Sequence, residues 1–153
     1  MIKVIIVGVD PGKVTGLAVW CDGCGMSHPE RPDTAEVESS TAVGAVLYRM
    51  LAEHGSARAN LIAIERFVQS SRKTRQPHAL QVTGEIGALA ANLGIKVVYQ
   101  SPGPSVKIAS NQRLRELGWY VYSRDQHANA AQRHVLLAVA SFFPDTFAKL
   151  TGL

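Results

Sequence analysis

Two acidic side chains each close an apolar run of the sequence. Asp10 ends the run over residues 2–9 and stands directly before Pro11-Gly12, and Glu65 ends the run over residues 60–64. Asp is unfavourable in strands, so a carboxylate at such a strand end suggests a metal or phosphate site. If the two strands are neighbours, the carboxylates converge at one sheet edge. Mg²⁺ prefers oxygen ligands, and two such ions about 4 Å apart can clamp the attacking and leaving oxygens of a phosphodiester.

A further ligand for this site is expected from the start of the last predicted helix. That segment carries Asp125, His127 and Asn129, and His134 lies two turns further along on roughly the same face. Asp125 fits the N-cap of the helix about as well as it fits a metal ligand. His134 is interpreted as an ordinary core or surface histidine.

The strand-end acids also have structural interpretations. Asp10 before Pro-Gly fits a turn former, and Glu65 fits a strand-end partner of Arg66 or of another basic residue. Asp10, Glu65 and Asp125 taken together indicate a metal site more specifically than any one of them alone.

Charge is distributed unevenly along the 153 residues, although the net charge is only +4. Residues 1–65 hold five Lys or Arg and eight Asp or Glu, whereas residues 66–115 hold eight Lys or Arg and only Glu85. Residues 116–153 are balanced. A basic segment beside a carboxylate cluster favours a polyanion held over metal ions.

The elements that must position these groups follow from apolar periodicity. A meander followed by crossover helices predicts an α/β fold, a mixed five-stranded sheet with antiparallel first strands, parallel crossovers and flanking helices. In the last helix, Val135, Leu136, Val139 and Phe142 are expected to face the core. The predicted strands cover 3–9, 15–20, 34–37, 60–64 and 96–99, and the predicted helices cover 41–53, 79–93, 106–117 and 125–143.

The length favours one domain over residues 1–153. No apolar run reaches the roughly 18 residues of a membrane helix, and no secretory signal is recognised at the start. A cytoplasmic protein without a membrane partner is therefore expected.

Cys21 and Cys24 lie in a predicted loop over residues 21–33, and His28 follows them. The three residues are compatible with part of a zinc site. A structural zinc ion takes four protein ligands, however, and the chain has no second cysteine pair. Two reduced cysteines are the favoured interpretation, since disulfides are rare in the cytoplasm.

The sequence resembles the RuvC-type Holliday-junction resolvases of the RNase H-like superfamily. Within that family it looks like a phage-like member. The resemblance spans roughly residues 3 to 140. Residues 5–12 with 14–16 look like the first motif of that family, and residues 62–65 with Phe67 look like the second. The similarity continues through residues 79–81, 84–87, 104, 106 and 107 to the segment 127–131, where the family has its last acidic motif.

The resemblance implies an RNase H-like fold, a homodimer, and nicking of two opposed strands at a four-way DNA junction. This crossover junction endodeoxyribonuclease activity would depend on Mg²⁺ or Mn²⁺, with two ions, and would serve DNA recombination and repair in a bacterial or phage-infected cell. No small-molecule substrate is implied.

Site residues follow from the same resemblance. Asp10 and Glu65 match the first two metal ligands, and His127 falls on the next catalytic position. The position of the final acid is Ala130, which cannot bind metal, so Asp125 or Asn129 would have to replace it. Lys107 matches a basic position near the scissile phosphate, where it would steady developing negative charge.

The basic segment after Glu65 is the main candidate for DNA contact. Phe67 is a candidate wedge at the junction centre, although a core position fits it at least as well. The helix over 79–93, with Gly84 and Gly87 on one face, lies where dimers of the family pack. The proposed DNA-binding residues are Arg66, Phe67, Arg72, Lys73, Arg75, His78 and Lys107.

Two other functions remain open from the sequence. Ala130 is compatible with a branched-DNA binding protein whose catalysis is weak or lost. An RNase H-like nuclease that acts on RNA, hybrids or replication forks would share a similar first motif.

Overall fold

The chain is described by a computed structural model over residues 3–24, 31–55, 59–66, 77–101, 108–122, 124 and 126–152. These ranges contain five strands and five helices. The strands are β1 (Val4–Asp10), β2 (Val14–Asp22), β3 (Asp33–Glu38), β4 (Leu61–Glu65) and β5 (Lys96–Gln100); the helices are α1 (Val43–Glu53), α2 (Pro77–Leu93), α3 (Asn111–Glu116), α4 (His127–Phe142) and α5 (Pro144–Thr151).

The strands form one mixed sheet in the order β3-β2-β1-β4-β5. The pairs β1-β2 and β2-β3 are antiparallel, whereas β1-β4 and β4-β5 are parallel. The predicted antiparallel meander followed by parallel crossovers is therefore confirmed. Because β1 and β4 are parallel neighbours, their carboxyl ends meet at one edge of the sheet.

Two apolar layers cover the two faces of the sheet. Side chains alternate between the faces along a strand, so Val7 of β1 packs with α1 and α2, and Ile6 packs with Trp119 and α4. The site at the sheet edge is thus held by a core on each side. No helix in the described part of the chain is long and apolar enough to cross a membrane.

Helix α4 lies directly on the β1-β2 pair because two glycines leave room for its backbone. A methyl group at Gly8 would overlap the carbonyl of Ala131, and one at Gly16 would overlap the carbonyl of His127. Gly84 and Gly87 of α2 are different, because nothing in the described chain lies within 4 Å of a methyl group placed at either position.

Several predicted boundaries shift. The helix predicted from residue 106 begins at Asn111, where the Ser110 side chain caps it by accepting from the backbone N–H of Arg113; residues 102–107 are outside the described ranges. Helix α5 follows α4 and was not predicted. The proline at its start occupies the first turn, where a missing N–H costs nothing. The prediction of a core position for Phe142 is wrong, since this residue is 44% exposed.

The cysteine prediction also changes. Strand β2 extends through Cys21 to Asp22, so Cys21 is a buried strand residue rather than a loop residue. Cys21 and Cys24 are joined in a disulfide with their Cα atoms 5.8 Å apart, instead of being the expected reduced pair. His28 lies outside the described residues.

Candidate active site

The two strand-end carboxylates meet at the edge formed by β1 and β4. Val9 and Ile64 are register partners in this parallel pair, and the next residue on each strand is an acid. The side chains of Asp10 and Glu65 lie close enough for Asp10 to raise the pKa of Glu65. The structure therefore brings together the two acids that the sequence singled out, for the reason that the sequence suggested.

The contact between the acids raises the pKa of Glu65 to about 8. Burial is the largest cause, and the hydrogen bond and the negative charge of Asp10 add to it, while the positive charge of Arg133 acts in the opposite direction. Like charges in contact favour the protonated form of one partner. Glu65 is therefore mostly protonated near neutral pH in the metal-free chain.

His127 lies beside the first acid. Its Nδ1 is 3.0 Å from Oδ2 of Asp10. His127 is the first residue of α4, and Gly16 is the register partner of Asp10 in the β1-β2 ladder. Because α4 rests on Gly16, the start of the helix is fixed directly over the carboxylate.

His134 lies on the far side of Glu65. Its Nδ1 is 2.8 Å from Oε1 of Gln100, so Nδ1–H donates to this amide oxygen and Nε2 keeps its lone pair. Nε2 is 4.0 Å from Oε2 of Glu65. Burial is the main cause that lowers the pKa of His134 to about 4, so the ring is neutral near pH 7. Gln100 is the register partner of Glu65 on β5.

The interpretation of His134 as an ordinary histidine is therefore incomplete, because the ring belongs to the site cluster. The available signal was its position seven residues after His127, on one face of α4. Arg133 is a second residue that the sequence reasoning missed. It is half-buried and donates to Oδ1 of Asn111, and its charge lowers the pKa values of both Glu65 and His134.

Asn129, the alternative metal ligand, already has hydrogen-bond partners for its side-chain amide. It is fully buried, its Oδ1 accepts from the backbone N–H of Val121, and its Nδ2 donates to the Val121 carbonyl and to Gln126. These bonds fix the segment before α4 and use both ends of the amide. Asp125, the other alternative, lies outside the described residues.

Only part of the proposed DNA-contact set can be located. Arg66 and His78 are exposed, and Nδ1 of His78 lies 3.0 Å from Oγ of Ser39. Arg66 lines a groove of about 400 Å³ beside Glu65, together with Leu80, Thr83 and Tyr99. The remaining predicted site residues, Phe67, Arg72, Lys73, Arg75 and Lys107, lie outside the described ranges.

The donor set at the sheet edge fits a divalent cation. Two carboxylates in contact, one of them with a raised pKa, offer oxygen ligands whose mutual repulsion a cation would relieve. His127 adds an imidazole nitrogen on the Asp10 side. The site has the composition expected of a metal centre for phosphoryl chemistry.

Compared by sequence, the chain matches no known family model and no curated protein. Compared by structure, it is similar to RuvC of Thermus thermophilus in complex with a Holliday junction substrate, with a TM-score of 0.66 and 16% identity over 94% of this chain and 96% of that one. Another Thermus thermophilus RuvC structure gives a TM-score of 0.63 and 15% identity over 97% and 96% of the two chains.

The mixed five-stranded sheet with its flanking helices is the RNase H-like architecture. Within that class, the chain has the fold of Thermus thermophilus RuvC over nearly its whole length. The resemblance that the motifs indicated is thus confirmed at the level of the fold.

Proposed function

We propose that this protein is a divalent-metal-dependent endonuclease that cuts four-way DNA junctions by paired phosphodiester nicks. The observation that carries the proposal is the pair of acids Asp10 and Glu65, which follow register partners on neighbouring parallel strands at the carboxyl edge of a RuvC-like sheet. One of the similar structures is a RuvC bound to a Holliday junction substrate, which supports branched DNA as the substrate class.

Asp10, Glu65 and His127 would hold the Mg²⁺ or Mn²⁺ ions. Bound there, the metal would polarise the scissile phosphate and lower the pKa of an attacking water. Asp10 is oriented by its contact with His127, and Glu65 must release its proton before it can act as an anionic ligand. Arg133 favours that release because its positive charge lowers the pKa of Glu65.

His134 would take over part of the task of the acid missing at residue 130. Its neutral ring is fixed by Gln100 and faces Glu65 with an unprotonated nitrogen. We assign it the role of a positioning residue: the buried ring packs beside Glu65 and limits where the carboxylate can lie. Because the ring is neutral, the site has one negative charge fewer than a third carboxylate would give.

DNA would reach the site across the groove that Arg66 lines. The exposed ring of Tyr99 and the exposed Arg66 border Glu65 there, so a phosphate backbone can approach the carboxylates alongside a positive charge. The basic segment that begins at Arg66 would add phosphate contacts and make binding salt-sensitive.

Cutting two opposed strands needs two such sites, so a homodimer is part of the proposal. Helix α2 offers a surface for it, because the open space over Gly84 and Gly87 lets a second backbone come close.

A branched-DNA binding protein without turnover is the second candidate, and Ala130 is the observation that favours it. The side chain of Ala130 has no ligand atom, so the metal would be held by fewer anionic groups. This candidate predicts tight junction binding without cleavage in any metal.

The decisive experiment is a cleavage assay on a synthetic four-way junction, a flap and a linear duplex, made in DNA and in RNA, with Mg²⁺ or Mn²⁺. Wild type should nick the DNA junction at symmetric positions, and Asp10→Asn should bind it without cutting. Asp145→Asn, on the exposed first turn of α5, is the matched control and should cut normally. Equal cutting by Asp10→Asn, or preference for the RNA substrates, would overturn the proposal, and binding without any cutting by wild type would select the second candidate.

A further inference from the structure

A second cluster of metal-ligating side chains lies at the end of the sheet opposite the carboxylates. Cys21 is the register partner of Ile5 near the start of β1, whereas Asp10 at the other end of β1 pairs with Gly16. The sulfur atoms of Cys21 and Cys24 and one ring nitrogen of His54 all lie within 4.8 Å of one another. His54 directly follows α1, so the cluster joins elements that are distant in sequence.

The histidine of this cluster is buried and incompletely partnered. Its side chain is only 5% exposed, and its Nε2 lies 2.8 Å from Oδ2 of Asp33 at the start of β3. Both ring nitrogens are buried, and neither makes a hydrogen bond within the described chain. An unpartnered buried nitrogen costs free energy, and a ligand for it would remove that cost.

We infer that the reduced chain binds a zinc ion through Cys21, Cys24 and His54. Thiolate and imidazole ligands select zinc over Mg²⁺ or Ca²⁺, and the Cys-x₂-Cys spacing is that of zinc sites. A water molecule completes the tetrahedron. Oδ2 of Asp33 lies 2.8 Å from Nε2 of His54, so we assign Nδ1 as the ligand nitrogen; a carboxylate behind a metal-bound histidine is a common arrangement.

Zinc binding requires the Cys21–Cys24 disulfide to be opened first. A dithiol reductant attacks one sulfur, the S–S bond breaks, and the reductant leaves as its own disulfide after supplying two electrons. The two thiols then lose their protons to solvent as they bind zinc, and the metal stays divalent throughout. The disulfide and the zinc complex are therefore alternative states of one site, selected by the redox conditions.

The ion would tie the end of β2 to the chain that follows α1. His54 is at the end of a helix that packs on the sheet through Leu47 and Leu51, and Cys21 belongs to the same apolar cluster. Because the ligands come from separate elements, metal binding free energy adds to folding free energy. The site is independent of the carboxylate edge.

The test is a titration of the full chain, reduced with a phosphine, with Co²⁺ and then Zn²⁺ against a chromophoric chelator. We expect a single tight site per chain, a thiolate-to-cobalt charge-transfer band, the intense d–d bands of a tetrahedral ion, and a higher melting temperature with zinc. Cys24→Ser, at a half-buried position, should lose the charge-transfer intensity and the thermal gain. Asp33→Asn should weaken zinc binding about 10-fold.

Two comparisons keep the result specific. His54→Gln should lose tight binding, whereas His78→Gln, which alters an exposed histidine on α2, should keep it. Asp10→Asn should also keep it, because the carboxylate edge is a different site. Cobalt binding without a thiolate band, or zinc binding that survives in Cys24→Ser, would overturn the inference. So would a reduced wild type that binds no zinc, whatever its activity on DNA.

Discussion

Nε2 of His134 faces Oε2 of Glu65 at 4.0 Å, while Nδ1 of the same ring donates to Gln100 at 2.8 Å. The strand that carries Gln100 is the parallel neighbour of the strand that carries Glu65, so one imidazole joins α4 to two strand ends. The buried ring therefore packs beside the Glu65 carboxylate, which also borders the exposed groove that Arg66 lines.

Removing this ring should damage cleavage more than DNA binding. His134→Asn keeps a polar side chain, but this side chain is too short to fill the place of the imidazole beside Glu65. We therefore expect a 10- to 100-fold lower single-turnover cleavage rate, as is typical when a group that orients a metal ligand is removed. The apparent metal affinity should fall with it, while the junction Kd in Ca²⁺ stays within about 2-fold. A quantitative metal titration of the cleavage rate separates the two effects.

Gln100→Leu is the companion variant, since it removes the acceptor of Nδ1–H and leaves the ring in place. A smaller loss of the same kind is expected. If both variants cut at the wild-type rate at limiting metal, His134 has no positioning role.

The free energy of unfolding should depend on pH because Glu65 holds a proton in the folded state near neutral pH. The pKa of Glu65 is about 8 in the folded metal-free chain and 4.5 as an ordinary carboxyl group. Between these values the folded state binds more protons than the unfolded state, so this group makes the free energy of unfolding fall as pH rises. His134 acts oppositely from pH 4 to 6.5, because there the unfolded state binds more protons.

Of Glu65 and His134, only Glu65 therefore makes the free energy of unfolding depend on pH above pH 6.5. We expect thermal melts in a chelator to show that Glu65→Gln gains about 3 °C or more over wild type between pH 6.5 and 8. Saturating Mg²⁺ should remove most of the difference, because the cation replaces the proton as the compensating charge. If the melting temperatures of the two proteins change in parallel with pH across this range, the raised pKa of Glu65 is contradicted.

Much of this site follows from local rules that a sequence carries. Apolar runs such as residues 60–64 predict buried strands, and an acid at the end of each of two parallel neighbours has to reach the same sheet edge. The order of the five strands then follows from the general rule that crossover connections are short and right-handed. The pairing of Asp10 with Glu65 is therefore predictable.

Other features depend on partners that no local pattern names. The helical period predicts that His134 lies on the same face as His127, but it does not predict that this face meets Glu65. The sequence alone also allows Asn129 to offer an oxygen ligand. In the fold, its amide is hydrogen-bonded to the backbone of Val121, eight residues earlier. Helix α5 was missed because its few apolar side chains, including Phe147 and Leu150, gain their burial only by packing on the α4 layer.

Gly16 should be intolerant of any side chain. A methyl group there would overlap the backbone carbonyl of His127, so Gly16→Ala must push the start of α4 away from Asp10. Overpacking of this kind costs about 1–3 kcal/mol, and a misplacement near 1 Å costs about 100-fold in rate. We expect a lower melting temperature together with a loss of cleavage.

Gly118→Asn provides the comparison for this substitution. Gly118 has a positive φ of 73° with nothing within 4 Å of an added methyl group, and Asn tolerates this backbone region. Its cleavage rate should be unchanged. Wild-type stability and cleavage in Gly16→Ala would mean that the contact between α4 and β2 does not position His127.

Restoring an acid at residue 130 should strengthen metal binding. Ala130 lies between His127 and His134 on one face of α4, three residues after the first and four before the second, and it is only half-buried. A carboxylate there adds a negative charge and oxygen ligands, and ligand charge is a main determinant of affinity for hard cations. Ala130→Asp should lower the Mg²⁺ concentration for half-maximal cleavage about 10-fold, equivalent to roughly 1.4 kcal/mol. Ala130→Asn, of the same size but uncharged, should change it little. An unchanged metal requirement in Ala130→Asp would indicate that His134 already completes the site and that the acid has no place left to bind.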